Sequence, residues 1–225
     1  MKKIFLVASL AVGFVSCGNN NSNQEGTTNT DSTNHGAHQP ESATVTNETT
    51  VDTSGMAGKS MMSLMQENMD QMKAMQSSGN PDNDFASMMK IHHMGALQMA
   101  QLEVAQGQDA ELKAMAQKMI DAQQKEIAEL NTFLSGHQAH GGGDAFHKQV
   151  MSQMNNMKMD MDHSGSIDKQ FAQMMIPHHQ GAIDMSQAYL KAGAHEEKLK
   201  TMANKIISDQ KKEIGELQAW LNKNK

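Results

Sequence analysis

The chain contains no arginine; all 19 of its basic residues are lysines. That absence counts against nucleic acid and against a bidentate grip on phosphate or carboxylate, both of which lean on the guanidinium fork. The formal net charge of −6 points the same way, because a phosphate-binding protein needs a basic face. Cysteine occurs once, which excludes an internal disulfide and a thiolate metal cage. Aromatics make up 4% of the residues, too few for stacking platforms or an aromatic-rich β-sandwich core. Sustained apolar–polar alternation is missing and Val and Ile are scarce, so strands are not expected. The chain has no Gly-rich phosphate loop, no Ser-His-Asp set and no reactive Cys. Glu-x-x-His, which a ferritin-type di-iron centre wants from two of its helices, does not occur either. What the chain has instead is methionine, 23 residues of it, more than any aromatic or charged residue type.

Met1-Lys2-Lys3 is a short basic start, and Ile4 to Val15 is an apolar run of 12 residues. A membrane-spanning helix needs about 20 apolar residues, so this run fits the core of a signal peptide better. It ends in Phe14-Val15-Ser16-Cys17, which resembles a bacterial lipoprotein signal. On that reading residues 1–16 are removed and Cys17 becomes a lipidated first residue. The expected location is the periplasmic or extracellular side, anchored to a bacterial membrane, the outer one in a Gram-negative cell. A plain secretory signal with an incidental Cys is the alternative. Residues 17–55 are rich in Asn, Ser and Thr and carry almost no large apolar side chain. They cannot bury enough surface to offset their ordering entropy and read as a disordered tether, with His35 and His38 as solvated linker residues.

Residues 56–225 read as a duplicated helical domain: repeat 1 over 56–135, a linker over 136–144 and repeat 2 over 145–225. Phe85-Ala86-Ser87-Met88-Met89-Lys90-Ile91-His92-His93 is answered, at an offset of 86, by Phe171-Ala172-Gln173-Met174-Met175-Ile176-Pro177-His178-His179. After a one-residue insertion, Gln123-Gln124-Lys125-Glu126-Ile127 is answered by Gln210-Lys211-Lys212-Glu213-Ile214. Two units this alike need a shared reason, either packing or a repeated site.

Helical periodicity supports two long helices in each unit. Met88, His92, Gly95, Met99 and Leu102 fall on one stripe, and Leu112, Ala116, Met119, Gln123, Ile127 and Leu130 on another. Asp82 or Asp84 is the expected cap of the first helix, Gly107 its end, and Gly193 the corresponding end in repeat 2. Repeat 2 predicts helices over 168–192 and 195–222, with Pro177 expected to kink or restart the first of them. A shorter Met-rich segment precedes each hairpin, over about 58–77 and 145–160. The expectation is an all-α, ferritin-like four-helix bundle with extra short Met-rich helices. A pseudo-twofold axis would bring His92 and His93 near His178 and His179. Two separate small bundles are the alternative.

Adjacent His pairs at the same place in both repeats are the sharpest chemical feature, because neutral imidazole is the commonest side-chain metal ligand. Met88 precedes His92 and Met89 precedes His93 by four residues, as Met174 does His178 and Met175 does His179. That spacing stacks thioether and imidazole on one helix face. Met99 and Met185 lie two turns further along the same stripes. Met61, Met65, Met69 and Met72 share one face of a short helix, as a soft apolar face or a donor surface. Met154 opens a run in which Met157, Met159 and Met161 alternate with polar residues up to His163. On a helix not all of these can be core, and an exposed thioether is an oxidation liability. Thioether sulfur selects Cu(I), or the similarly soft Ag(I). It needs no deprotonation and cannot be lost to disulfides outside the cytoplasm. Gln123 and Gln210 read as support for the His pairs, and Glu126 and Glu213 as surface charge or support. His137, His140, His147 and His195 have no counterparts in the other repeat and read as solvated.

The pattern Phe-x-x-Met-Met-x-x-His-His, followed about 30 residues later by Gln-x-x-Glu-Ile, resembles a family of secreted bacterial proteins. That family was long known only as a domain of unknown function and is assigned to the ferritin-like superfamily. The resemblance covers roughly 84–134 and 168–222; the first unit departs from it by lacking the Pro before its His pair. Members include periplasmic proteins thought to sequester or carry Cu(I). The resemblance therefore implies metal ligation by His92, His93, His178, His179 and neighbouring Met residues. The expected function is an extracytoplasmic Cu(I)/Ag(I) sink or metallochaperone, not an enzyme. Its expected partners are a metal ion, a membrane through Cys17 and a copper-delivery protein, and not nucleic acid. The alternatives are a ferritin-like metal-dependent oxidase and a structural or partner-binding bundle.

Overall fold

The computed structural model describes residues 58–138, 140–156 and 164–224, all within a compact unit running from Glu48 to Lys225. The expected signal peptide, the tether and Cys17 lie outside the described residues, as do Met157, Met159, Met161 and His163. Six helices follow one another: α1 Met61–Ala74, α2 Pro81–Gln106, α3 Ala110–Gly136, α4 Ala145–Asn156, α5 Ile167–Lys191 and α6 Glu197–Lys223. The described residues include no strand, and the fold is an all-α bundle. No helix among them is long and apolar enough to cross a membrane.

Local chemistry sets the boundaries. Ser60 and Ser63 close a reciprocal capping box at the start of α1, each side chain accepting the other's backbone N–H (3.1 and 2.9 Å). The cap of α2 is Asn80, not Asp82 or Asp84. Its side chain accepts from the Asn83 N–H at 2.9 Å, and Pro81 takes the first helical position, where a missing donor costs nothing. Gly193 ends α5 at φ +81°, the left-handed conformation glycine tolerates. Gly107 ends α2 for another reason. Its φ is −62°, but a Cβ there would stand 2.2 Å from Glu103 Oε1. Helix α5 runs unbroken through Pro177 and is not restarted there. The linker is tied down where it passes the α1–α2 turn, since Gly142 and Gly143 both donate to the Gly79 carbonyl at 2.9 Å.

Helix α2 packs along α3, and α5 along α6; α2 and α5 pack on each other, so the two hairpins share one bundle. The short helices α1 and α4 each lie against both α2 and α5.

Two apolar clusters fill the interior. One joins Leu64, Met99, Leu102, Leu112, Phe171, Met174, Met175, Leu217 and Trp220. The other joins Phe85, Met88, Met89, Leu130, Phe146, Tyr189, Leu199 and Ile206. Each fully buried large side chain contributes roughly 1.5–3 kcal/mol. In the second cluster Phe85 stacks on Tyr189 with centroids 4.2 Å apart, tying α2 to α5.

The order of these residues along the chain reveals a layer between the clusters. Helix α2 passes from the second cluster to the first and α5 from the first to the second, so the two run antiparallel. Each crosses over at its His pair. Helices α3 and α6 cross over at Gln123–Glu126 and Gln210–Glu213. The middle of the bundle is therefore a polar layer between two apolar blocks. Burying polar groups is costly unless they find partners, so this layer is the natural place to look for function.

Candidate metal centre

Within the layer the four histidines divide into two kinds. His92 and His178 face each other across the α2–α5 contact, with ring centroids 3.8 Å apart and planes inclined by 39°. His93 and His179 turn the other way, each towards its own hairpin's second helix. His93 Nε2 lies 2.9 Å from Glu126 Oε2, and His179 Nε2 lies 2.8 Å from Glu213 Oε2. Adjacent residues on a helix point about 100° apart, so each pair presents one ring to the helix contact and one to the hairpin partner. Support for the outer rings thus comes from the glutamates. Gln123 and Gln210 are buried in the same layer, and their Oε1 atoms have no hydrogen-bond partner.

Electrostatics separates the two kinds further. Burial, reinforced by the neighbouring imidazoles, drives His92 and His178 well below the ordinary histidine value. Both are neutral near pH 7 and keep a lone pair. Nδ1 of each ring is buried with no hydrogen-bond partner. Burial pushes Glu126 up, but contacts with His93 and with Lys205 outweigh it and hold its carboxyl below the usual range. Lys205 reaches Glu126 from α6 at 2.9 Å and is shared with Asp209.

A cavity of about 450 Å³ opens onto His92 and His178. Its sulfur donors are Met65, Met69 and Met72 of α1, Met154 of α4 and Met185 of α5. Asn68, Gln153 and Asp184 supply oxygen, and among the described residues no basic side chain lines it. Negative and neutral donors around two neutral imidazoles suit a cation. Among the described residues no three His, Cys, Asp or Glu side chains assemble as a metal cage. A metal held at His92 and His178 would therefore be completed by thioethers, and five surround the space. On the opposite side of the layer, a smaller cavity of about 250 Å³ lies between α3 and α6 and is lined by Gln123, Glu126, Gln210 and Glu213.

The sequence-predicted residues sort accordingly. Met154 and Met185 meet His92 and His178 at the cavity. Met88, Met89, Met99, Met174 and Met175 are buried in the apolar clusters, and the cavity does not reach them. The α1 methionines that do line it carry no repeat signal, and their stripe is equally a packing stripe. Asn68 was not singled out by sequence; its only signal is a polar residue on the buried face of a Met-rich helix. His137 is not solvated. It stacks on Phe133 with centroids 4.6 Å apart, and its Nδ1 lies 3.5 Å from Glu196 Oε1.

A family model described as "Domain of unknown function (DUF305)" matches residues 20–134 and 82–221. CopM in the Cu(II)-bound form superposes with a TM-score of 0.50 at 28% identity, over 64% of this chain and 97% of CopM. CopM in an Ag-bound form gives a TM-score of 0.49 at 27% identity, over 66% of this chain and 98% of the other. A DUF305 fragment from Deinococcus radiodurans gives 0.48 at 20%, over 64% of this chain and 96% of the fragment. No curated protein matches.

Proposed function

Given that the chain belongs to the family described as a domain of unknown function, DUF305, and is similar to a CopM structure solved with copper, we propose that it binds copper. In this reading the cargo is Cu(I), or the equally soft Ag(I). The observation that carries it is the meeting of two neutral imidazoles, each with a buried Nδ1 that has no hydrogen-bond partner, at a thioether-lined cavity. Thioether and imidazole together favour a soft monovalent ion over Zn, Mg or Ca. Neither donor has to lose a proton, so uptake persists in mildly acidic surroundings. The ligands would be His92 and His178, with sulfur from Met69, Met72, Met154 and Met185.

The protein is a binder rather than an enzyme in this account, a sink or carrier working outside the cytoplasm. Cys17 would tether it to a membrane, and a second protein would supply or receive the ion. The donor set supports this role, since it offers several soft ligands.

The test is a Cu(I) titration of the full mature chain, anaerobic and reducing, against a chromophoric Cu(I) competitor, with Zn(II) and Fe(II) in parallel. Saturable Cu(I) uptake that is lost in His92→Ala/His178→Ala supports the reading. Absence of competitive Cu(I) uptake overturns it. Catalytic O₂ consumption with Cu(I) or Fe(II) would overturn the non-enzymatic role.

A further inference from the structure

We propose that Asn68 sets the tautomer of His178 and so decides which of its ring nitrogens meets the cargo. The inference rests on the copper reading for its consequence, but its structural content stands without metal. Asn68 belongs to α1, yet its side chain is buried against the other helices. Its Nδ2 donates to the Ile91 carbonyl at 2.7 Å. That bond fixes which way round the amide lies, because an oxygen in the same place would face another oxygen. Oδ1 is thereby turned to His178, 3.3 Å from Nε2. An amide oxygen only accepts, so Nε2 must carry the proton. The remaining lone pair of His178 is then on Nδ1, the buried atom with no partner.

The backbone has been cleared for this contact. A Cβ on Gly95 would sit 2.2 Å from Asn68 Cγ and 2.5 Å from both Nδ2 and Oδ1. Any residue other than glycine at position 95 would drive the amide off its two partners. Asn68 also lines the Met cavity itself, so it joins three things: the α2 backbone, the orientation of the His178 ring and the wall of the site. Metal-bound histidines generally donate their second nitrogen to such an acceptor, which fixes ring orientation and raises ligand basicity. Asn68 is a positioning residue here, acting through His178 rather than on the ion.

The experiment uses ring ¹⁵N shifts of His178 in the metal-free, ¹⁵N-histidine-labelled mature protein, followed by Ag(I) titration of the same samples. In the unsubstituted chain His178 is expected as the Nε2-protonated tautomer. Asn68→Ala should mix the tautomers and weaken Ag(I) binding by roughly ten- to a hundredfold, the range typical of such supporting contacts. Gly95→Ala should reproduce both effects with Asn68 itself unsubstituted. A His178 protonated on Nδ1 in the unsubstituted chain, or a tautomer indifferent to Asn68→Ala, overturns the proposal. A tautomer that shifts while Ag(I) affinity holds overturns its link to the cargo. Failure of the unsubstituted chain to bind Ag(I) would sink the copper reading instead, and the ring shifts would still decide the role of Asn68.

Discussion

Asp82 and Asp168 each cap a helix of the other hairpin. They stand 86 positions apart, at the same place in the two units. Asp82 Oδ1, from α2, accepts the His195 and Glu196 N–H groups at the start of α6 (3.2 and 3.3 Å). Asp168 Oδ1, from α5, accepts the Gln108 and Asp109 N–H groups at the start of α3 (2.8 and 2.7 Å). Helix α6 has no side-chain cap of its own from Glu196, so Asp82 supplies what the local sequence leaves out. The exchange locks the hairpins together at opposite ends of the bundle.

Removing either crossed cap should therefore cost stability. Asp82→Ala and Asp168→Ala are each expected to lose about 1–2 kcal/mol, the upper range for a helix cap. The sites share no partners, so the double variant should be close to additive. Urea unfolding of the three variants measures this; a double variant no worse than either single one would refute independent caps.

Glu103 makes one end of the lock sensitive to pH. It is buried beside Asp168, and its carboxyl is pushed up to about 8, first by burial and then by the Asp168 charge. The folded state thus holds this proton more tightly than the unfolded chain. The contribution is fully present below the ordinary value of 4.5 and is lost as pH rises through about 8. Asp168 moves oppositely. Burial raises it, but the N–H groups it accepts hold it below the usual range, so its contribution is lost only in acid. Glu103→Gln should flatten the fall in melting temperature between about pH 4.5 and 8 while leaving the Asp168 acid limb in place. An unchanged slope over that range would remove Glu103 from the account.

Thioethers at the cavity can be told from thioethers in the core by conservative replacement. Met69→Leu, Met72→Leu, Met154→Leu and Met185→Leu keep volume and should cost less than about 1.5 kcal/mol each. Each should nevertheless weaken Ag(I) uptake, read by competition titration. Met174→Leu and Met175→Leu, which face the apolar block, should leave uptake unchanged. The reverse pattern would return the sulfur ligands to the helix-face spacing seen in the sequence.

The outer histidines should differ from each other. The Glu126 side chain is 9% exposed and that of Glu213 is 22% exposed. His93→Ala strands the more deeply buried carboxylate, leaving it Lys205 alone. It should destabilise the fold more than His179→Ala, by about 1 kcal/mol or more. Parallel thermal melts of the two variants check the order.

Much of the bundle was legible because helical periodicity is a local property. The stripes through Met88–Leu102 and Leu112–Leu130 and the long helices all followed from spacing along one helix. Cap positions were less legible. Asp82 and Asp84 have the right chemistry for the start of α2, yet Asn80 takes that place and Asp82 reaches across to α6. Nothing in sequence spacing distinguishes an aspartate that caps its own helix from one that caps a neighbour's.

The sequence by itself determined an all-α chain, two alike helical units and a soft-donor composition of many Met and His with a single Cys. Only tertiary structure decided which donors meet. Helical spacing of four residues puts Met88 over His92 on paper, but packing turns Met88 into the core and gathers Met69 and Met72 of α1, Met154 of α4 and Met185 of α5 around the cavity that opens onto the imidazoles. It likewise split each His pair, one ring to the α2–α5 contact and one to a glutamate on the adjoining helix. The reason is geometric. Periodicity specifies which face a side chain occupies, while its neighbours are set by which helices pack against that face, and that choice belongs to the whole chain.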